Sequence, residues 1–409
     1  MKKIKILALT LSAPTKFHTR SGIFILNQLE YLKNKCDIRI LCPYPFAPKT
    51  KFLNRYSKYS SVPIIDSIGG MKVYRPKYFM FPRNKITLKF INLLLLIESY
   101  FIFRKSKKIV DEIAKKWDFD IVHTHEIISG FLIANYCKKK YNKPVVITLH
   151  GEDITKYSKM KLLHALSKFS LKICDRIIAV SNSMKKEIYE TCLSNKSIEV
   201  IPSGYHVSRF KVRDTKKCRK VLNVPINKKV ILFVGGLEER KGVFYLIQAL
   251  SLLNKNKKMQ PFMCYVIGAG SLQKKLEELA IKLKISDKII FKGQRDPDEV
   301  AIWMSASDIL VLPSLNEGLP NVISETFASG KPVVATNVAG NPEIVNEKVG
   351  YLVAPKDSNS LAEKIYEALN RKWNKKDLLK RASQFSVTNS VKKILRIYKE
   401  MAAKDKSKI

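Results

Sequence analysis

The sequence predicts an α/β protein built as two doubly wound domains. Three observations carry that prediction. Short apolar, β-rich runs alternate with longer helical patterns along the chain, the runs fall into two series, and 409 residues exceed what one hydrophobic core usually organises. A hydrophobic content of 46% is that of a globular protein.

The first series of strands reads as Ile4–Leu9, Ile38–Leu41, Ile121–His123, Val145–Leu149 and Ile177–Val180. The second reads as Val230–Val234, Cys264–Ile267, Lys288–Phe291, Ile309–Leu312 and Pro332–Ala335. Helical patterns fall between them, among them Phe24–Lys33, Phe244–Leu253, Leu272–Leu283 and Leu361–Leu369. Such alternation gives parallel sheets with helices on both faces. The domain break is expected at Pro202-Ser-Gly-Tyr205, with a first domain over 1–204 and a second over 205–388. Lys211–Lys229 reads as a charged linker into the second sheet. Residues 389–409 read as a separate closing piece: an amphipathic helix over Val391–Met401, then a basic tail. Ile394, Leu395, Ile397 and Tyr398 of that helix need a surface to cover.

One segment departs from the pattern. Leu88–Phe103 is apolar nearly all round, with Lys89, Asn92 and Ser99 as a thin polar stripe. Basic residues flank it within 85–108, notably Arg104, Lys105, Lys107 and Lys108. It is too short and too interrupted to span a bilayer. A helix lying in the headgroup plane and a buried helix of the first domain both satisfy it.

Charge bounds the partners. Lys+Arg number 75 against 35 Asp+Glu, a net charge of +40, which attracts polyanions such as nucleic acid, anionic lipid or phosphorylated substrates. The excess is uneven. Residues 1–100 hold 18 basic and 4 acidic side chains, whereas 301–350 hold 2 basic and 5 acidic. The basic residues lack a recognition helix or an aromatic-interleaved motif, so nucleic acid is not expected. The seven cysteines form no Cys-x-x-Cys and sit mostly in apolar segments, which points to buried free thiols in a reducing compartment and away from structural zinc. The opening Met1-Lys-Lys runs straight into a strand, with no signal-peptide pattern.

The acidic window holds the most informative pair, Glu317 and Glu325 in Pro313-Ser-Leu-Asn-Glu-Gly-Leu-Pro-Asn-Val-Ile-Ser-Glu325. The first lies in a turn behind the strand Ile309–Leu312, the second in the helix that follows. Open α/β sheets bind nucleotides at such strand ends. Gly235-Gly-Leu-Glu-Glu-Arg240-Lys241-Gly242 is a glycine turn and a basic pair ahead of a helix, able to clamp a diphosphate, though it is not a P-loop. Gly268-Ala-Gly270 says only that strand turns tightly into helix. Ser21-Gly22 precedes the first helix, where backbone can approach phosphate.

His150 closes a strand and so faces the ligand side of a sheet. His123 and His125 would point to opposite faces if extended, which disfavours a metal site. Asp118-Phe-Asp120 has the look of a metal–nucleotide signature, but it lies at a strand's amino end, the wrong end for a ligand.

Taken in order, Ser21-Gly22, Thr148-Leu-His150-Gly, Val200-Ile-Pro-Ser-Gly204, Phe233-Val-Gly-Gly-Leu with Lys241-Gly242, Gly268-Ala-Gly270 and the Glu317…Glu325-Thr-Phe-Ala-Ser-Gly-Lys-Pro block span nearly the whole chain. The set resembles the family 4 retaining glycosyltransferases of the GT-B fold, of the type found in bacterial and archaeal surface-polysaccharide or teichuronic-acid-like synthesis. The resemblance implies two Rossmann-like domains facing across a crevice, the first taking the acceptor and the second the nucleotide sugar.

It further implies that Glu325 holds the donor ribose and Glu317 the donor sugar. Gly318, Leu319, Pro320, Asn321 and Val322 then offer backbone to sugar and diphosphate, Lys241 neutralises the diphosphate, Gly22 admits it, and His150 stands beside the anomeric carbon. The family usually carries an arginine where this chain has Gly236, and Arg240 is the candidate replacement. No metal and no other cofactor is implied. The donor is a UDP-sugar or a GDP-sugar. The acceptor is a lipid-linked glycan at the inner face of the cytoplasmic membrane, which the basic first domain would attract; a soluble glucan or polyol is the alternative.

Overall fold

A computed structural model describes residues 3–18, 21–46, 58–81, 90–151, 160–191 and 193–406. The chain divides into two compact units, residues 1–203 with 390–409, and residues 204–389.

The first unit is built on an eight-stranded sheet. Its strands are β1 (Ile4–Leu9), β2 (Cys36–Leu41), β4 (Ile65–Ile68), β5 (Met71–Tyr74), β7 (Ile121–Thr124), β8 (Val145–Leu149), β9 (Arg176–Ala179) and β10 (Ile198–Val200), in the order β10-β9-β8-β7-β1-β2-β5-β4. All pairs are parallel except β4 with β5. A separate two-stranded parallel sheet joins β3 (Tyr44–Phe46) to β6 (Lys77–Phe79), with Tyr44 opposite Lys77. Strands β1, β7 and β8 consist of buried residues over most of their length, as parallel strands covered on both faces must. The order reverses between β1 and β7, and this is the topological switch point.

Helices α1 (Ile23–Leu32), α2 (Ile91–Trp117), α3 (Ser129–Tyr141), α4 (Lys161–Ile173) and α5 (Asn182–Glu190) belong to this unit. The unusual apolar segment is the start of α2, and its residues before Phe90 lie outside the described set. Ile102, Val110, Ile113 and Trp117 are buried. Of the expected polar stripe, Lys89 and the Asn92 side chain lie outside the described residues, and Ser99 is buried and bonds to Leu95 O and Ser129 Oγ. Glu98 is also buried, accepting from the Phe81 N–H at 2.8 Å. Phe90, Leu93 and Tyr100 instead stand exposed, each by more than half (60%, 56% and 53%). No helix among the described residues is long and apolar enough to cross a membrane.

The second unit carries a six-stranded all-parallel sheet. It contains β11 (Lys229–Val234), β12 (Phe262–Ile267), β13 (Ile289–Gly293), β14 (Ile309–Leu312), β15 (Val333–Thr336) and β16 (Gly350–Val353), ordered β13-β12-β11-β14-β15-β16. Here the switch point lies between β11 and β14. Its helices are α6 (Thr215–Val221), α7 (Val243–Lys255), α8 (Gln273–Lys282), α9 (Pro297–Ala306), α10 (Asn321–Ala328), α11 (Asn341–Ile344), α12 (Ser358–Asn370) and α13 (Lys375–Gln384). They cover a core centred on Phe233, Leu250, Trp303 and Phe327. The Gly268–Gly270 stretch lies between β12 and α8, a strand-to-helix turn as expected.

Two sequence expectations need correction. Lys211–Lys229 is not a bare linker. Asp214 caps α6 through the Lys217 N–H, and the buried Arg219 pairs with Asp308 at 2.8 Å while donating to the carbonyls of Ala306, Ile226 and Lys228. Its many charges hid one arginine whose work is internal. The closing piece is not separate either. Helix α14 (Val387–Lys406) is longer than predicted, and from residue 390 onward the chain belongs to the first unit. Ile394, Ile397, Tyr398 and Met401 are buried there, and Glu400 and Arg396 pair with Arg176 and Glu199. Six cysteines are buried free thiols, and Cys192 lies outside the described residues.

Candidate active site

In the second unit two loops leave the carboxyl ends of β11 and β14, on either side of the switch point. The first passes through a 3-10 turn at Glu239–Lys241 into α7. The second runs from Pro313 to the start of α10. They are joined by the Leu315 N–H donating to Arg240 O at 2.7 Å. Gly242 makes this approach possible. Its φ is +64°, and a Cβ there would stand 2.0 Å from Pro313 O.

The joined loops bring Lys241 to Glu317 across 76 residues of sequence. Lys241 Nζ lies 2.5 Å from Glu317 Oε1, and Ser314 Oγ donates to the same oxygen at 2.7 Å. Arg240 Nη1 stands 4.0 Å from Glu317 Oε2, while its Nε donates to Glu238 at 3.2 Å. Glu317 is only 6% exposed and Lys241 14%, so this ion pair is largely desolvated. At Gly236 a Cβ would meet nothing nearer than 3.5 Å, so a side chain fits where this chain has none.

Gly318 and Leu319 have no backbone hydrogen-bond partner for their N–H groups among the described residues. Asn321 and Val322 open α10, where the first N–H groups of any helix lack an internal acceptor. Pro320 is the residue before that helix. Glu325 sits one turn further in. Burial pushes its carboxyl up to about 7, with Arg209 as the one opposing charge. The unit therefore gathers a paired lysine and carboxylate, donor N–H groups at a helix start, and a second, desolvated carboxylate.

The first unit repeats the geometry with different chemistry. Gly22 precedes α1 with the same dihedrals as Gly242 before α7, φ 64° and ψ 22°. A Cβ on Gly22 would stand 2.0 Å from Ser12 O. His150 follows β8 and packs edge-on against Phe24, the ring centroids 4.7 Å apart. Glu152 and Asp153, next in sequence, lie outside the described residues.

The histidines correct another expectation. His123 and His125 do not point apart; their rings stack with centroids 4.5 Å apart. Strand β7 ends at Thr124, so strict alternation stops before His125. His125 Nδ1 lies 3.1 Å from His150 Nε2, and its own Nε2 is buried without a partner among the described residues. His123 is held by Tyr398 OH at 2.6 Å and Thr148 Oγ1 at 2.8 Å. Burial pushes His123 down to about 3 and His150 to about 4, with the His150 charge adding to the effect on His123; His125 also lies well below its ordinary value. All three rings are neutral at physiological pH. Sequence reasoning missed the His125–His150 contact, whose only signal was two strand ends closing on histidine. Asp120 serves the fold, accepting from the Lys5 N–H at 2.7 Å, and Asp118 pairs with Lys143.

Comparison with known proteins assigns the family. Residues 24–209 match the family described as Glycosyltransferase Family 4, and residues 214–385 match Glycosyl transferases group 1. An uncharacterised glycosyltransferase of Methanocaldococcus jannaschii is 31% identical over 77% of this chain and 83% of its own length. This chain belongs to the family 4 glycosyltransferases. The Bacillus subtilis glycosyltransferase TuaC, whose name places it in teichuronic acid biosynthesis, is 29% identical over 88% of each chain. An Escherichia coli galactosyltransferase named for UDP-galactose and a diphosphoundecaprenol-linked acceptor is 28% identical over 71% of this chain and 78% of its own length. Among solved structures, sucrose-phosphate synthase from Thermosynechococcus elongatus superposes with a TM-score of 0.78 at 19% identity, covering 98% of this glycosyltransferase and all of that chain. The two Rossmann-like units are those of the GT-B class.

Proposed function

We propose that this glycosyltransferase moves a sugar, with retention of anomeric configuration, from a nucleotide sugar to a glycan carried on a polyprenyl diphosphate, in cell-surface polysaccharide synthesis. A UDP-sugar is the favoured donor, with a GDP-sugar the alternative. The observation that carries the reading is the Lys241–Glu317 pair at the second switch point, in the loop that leads into the helix bearing a desolvated carboxylate. A nucleotide sugar offers each of these groups a better partner. Its diphosphate takes Lys241 and the N–H groups of Gly318, Leu319, Asn321 and Val322. The sugar hydroxyls released toward Glu317 replace the lysine, and the ribose hydroxyls satisfy Glu325.

In the reaction the bond from the anomeric carbon to the diphosphate oxygen breaks while the acceptor oxygen bonds to the same face of that carbon. The acceptor's proton passes to the departing diphosphate. Charge grows on that leaving group, and Lys241 with the backbone N–H groups stabilises it where it develops. Glu317 orients the sugar and does not become covalently bonded. On this reading the reaction requires no metal.

The acceptor side of the proposal rests on what the relatives are named for and on α2. Phe90, Leu93 and Tyr100 are exposed, and Arg104, Lys105, Lys107 and Lys108 follow on exposed positions of the same helix. An apolar face with a basic flank seats on an anionic lipid surface, which would hold the enzyme at the inner face of the cytoplasmic membrane.

Radiolabelled UDP- and GDP-sugars incubated with membrane extract and EDTA test the reaction. Transfer of one sugar into an extractable lipid, unaffected by EDTA, is expected; no transfer and no donor hydrolysis with any sugar overturns it. Cosedimentation with phosphatidylglycerol vesicles tests the surface. Binding should fall on Leu93→Ser with Tyr100→Ser; unchanged binding removes α2 as the contact, and absence of binding by the native enzyme assigns the acceptor to the soluble class.

A further inference from the structure

A second cluster lies at the carboxyl end of the first sheet, apart from the histidines and Gly22. Strands β1, β2 and β5 run parallel, and Thr10, Cys42 and Arg75 directly follow their ends. Beyond them the small β3–β6 sheet sets Tyr44 opposite Lys77. This is the ligand-binding end of an open α/β sheet.

Among the described residues the two cations of this cluster have a single ion pair, Arg75 with Asp66. Arg75 has no exposed side-chain surface. Its Nη2 donates to Pro14 O at 2.7 Å, Nη1 reaches Cys42 Sγ at 3.7 Å, and Nε has no partner among the described residues. The carboxylate beside it, Asp66, stands 3.5 Å away and is itself 37% exposed. Buried guanidinium groups ordinarily have closer and fuller pairing. Lys77 Nζ donates to Tyr59 O at 3.2 Å and lies 4.9 Å from the centre of the Tyr44 ring. Burial, then the charge of Arg75, brings its amine down to about 8. Among the described residues Asp66 is the carboxylate that pairs with Arg75, none pairs with Lys77, and the charge of Glu126 reaches the neighbouring Cys42.

The surroundings suit a glycan that carries an anion. Phe17, His18 and Tyr44 pack around Tyr59 with ring centroids 6.3, 5.6 and 6.0 Å away. Tyr44 OH meets Thr15 Oγ1 at 3.3 Å, so the loop that leads to Gly22 is tied to this wall as well as to Arg75. Aromatic faces beside a cation accept a sugar's C–H surface next to its charged substituent.

We propose that Lys77 and Arg75 form an anion subsite for a phosphate group of the acceptor, with Lys77 in direct contact and Arg75 as a positioning charge beneath it. The proposal rests on the acceptor reading above and names the residues of the first unit that hold that acceptor's phosphate. A phosphate brings the negative charge this corner lacks and gives Lys77 a stronger acceptor than the Tyr59 carbonyl.

Calorimetric titration with inorganic pyrophosphate tests the subsite without catalysis, in a Lys241→Ala background that weakens the donor site. Binding is expected to weaken at least tenfold when Lys77→Ala is added and to recover with Lys77→Arg. In the otherwise native enzyme, Lys77→Ala should raise the acceptor KM about tenfold, leaving the donor KM and acceptor-free donor hydrolysis unchanged. Identical pyrophosphate titrations and an unchanged acceptor KM would overturn the subsite. A rise in donor KM equal to that in acceptor KM would overturn its assignment to the acceptor. Loss of pyrophosphate binding in an enzyme that neither transfers nor hydrolyses any nucleotide sugar would instead retain the subsite and remove the donor reading.

Discussion

The two units solve one geometric problem identically and then diverge in electrostatics. Each sends a loop from its first strand into a helix through a left-handed glycine packed against a loop carbonyl, Gly22 on Ser12 of its own loop and Gly242 on Pro313 of the neighbouring one. The second unit places ionised groups there, the desolvated Lys241–Glu317 pair, with Glu325 nearby. The first places uncharged imidazoles whose burial keeps them neutral. A shared backbone device therefore serves two chemistries. One presents an ion pair and a buried carboxylate; the other presents buried, neutral imidazoles.

The sharpest way to break this contrast is Lys241→Ala. On the proposed reading it removes the diphosphate's cation and should lower kcat/KM for transfer by about 10²–10³. It should also cost ~3 kcal/mol of stability, because Glu317 is left buried without its partner. The matching change in the first unit, His125→Asn, should leave donor affinity unaltered. Calorimetry with the donor and chemical denaturation measure both, and equal losses of donor affinity would erase the distinction.

Next are the two glycines. Gly22→Ala and Gly242→Ala should each destabilise by more than ~2 kcal/mol, from the strained φ and the carbonyl clash together. Gly236→Ala should stay within about 0.5 kcal/mol, since space is open there. Melting curves decide it; a tolerant Gly242→Ala would show that the loop junction is not fixed by this contact.

Glu325 supplies a pH test. Its carboxyl, ordinarily near 4.5, is raised to about 7 by burial. The native state thus keeps a proton that the unfolded chain has lost, and native stability falls as pH rises from 4.5 to 7. Hydroxyl groups that donate to the carboxylate favour its ionised form. Nucleotide-sugar affinity should therefore rise about tenfold from pH 6 to 8, with proton release on binding. The neutral histidines contribute nothing to this slope, and Glu325→Gln should abolish it. A flat affinity profile in the unaltered enzyme would remove Glu325 from the donor site.

The smallest effect sharpens rather than breaks the comparison. Gly236→Arg adds a cation at an open position beside Lys241 and should tighten donor binding by a few-fold. Unchanged or weaker affinity would mean that Arg240, already within 4.0 Å of Glu317, meets the need for charge.

Much of the architecture was legible because parallel strands covered on both faces are written as continuous apolar runs. Ile4–Leu9, Val145–Leu149 and Ile309–Leu312 were bounded to the residue. The strands that escaped, such as β4, β6 and β16, are short and incompletely buried, so no apolar run marks them. The Glu317…Glu325 block and the Lys241-Gly242 turn were visible as motifs, because their glycines, prolines and charges stand out locally. Their pairing was not, because nothing in the sequence says that a lysine will meet a carboxylate 76 residues later.

By itself, then, the sequence determined the two-unit α/β plan, the family and the turn residues of the loops after β11 and β14. Those depend on local periodicity and on residues that only certain turns accept. The tertiary structure alone decided which charges neutralise each other and which polar groups turn inward. It paired Lys241 with Glu317, buried Ser99 on a helix that reads as apolar, returned residues 390–409 to the first unit, and left Arg75 with too little compensation. Desolvation and ion pairing act through space, and strand order sets which distant segments share that space.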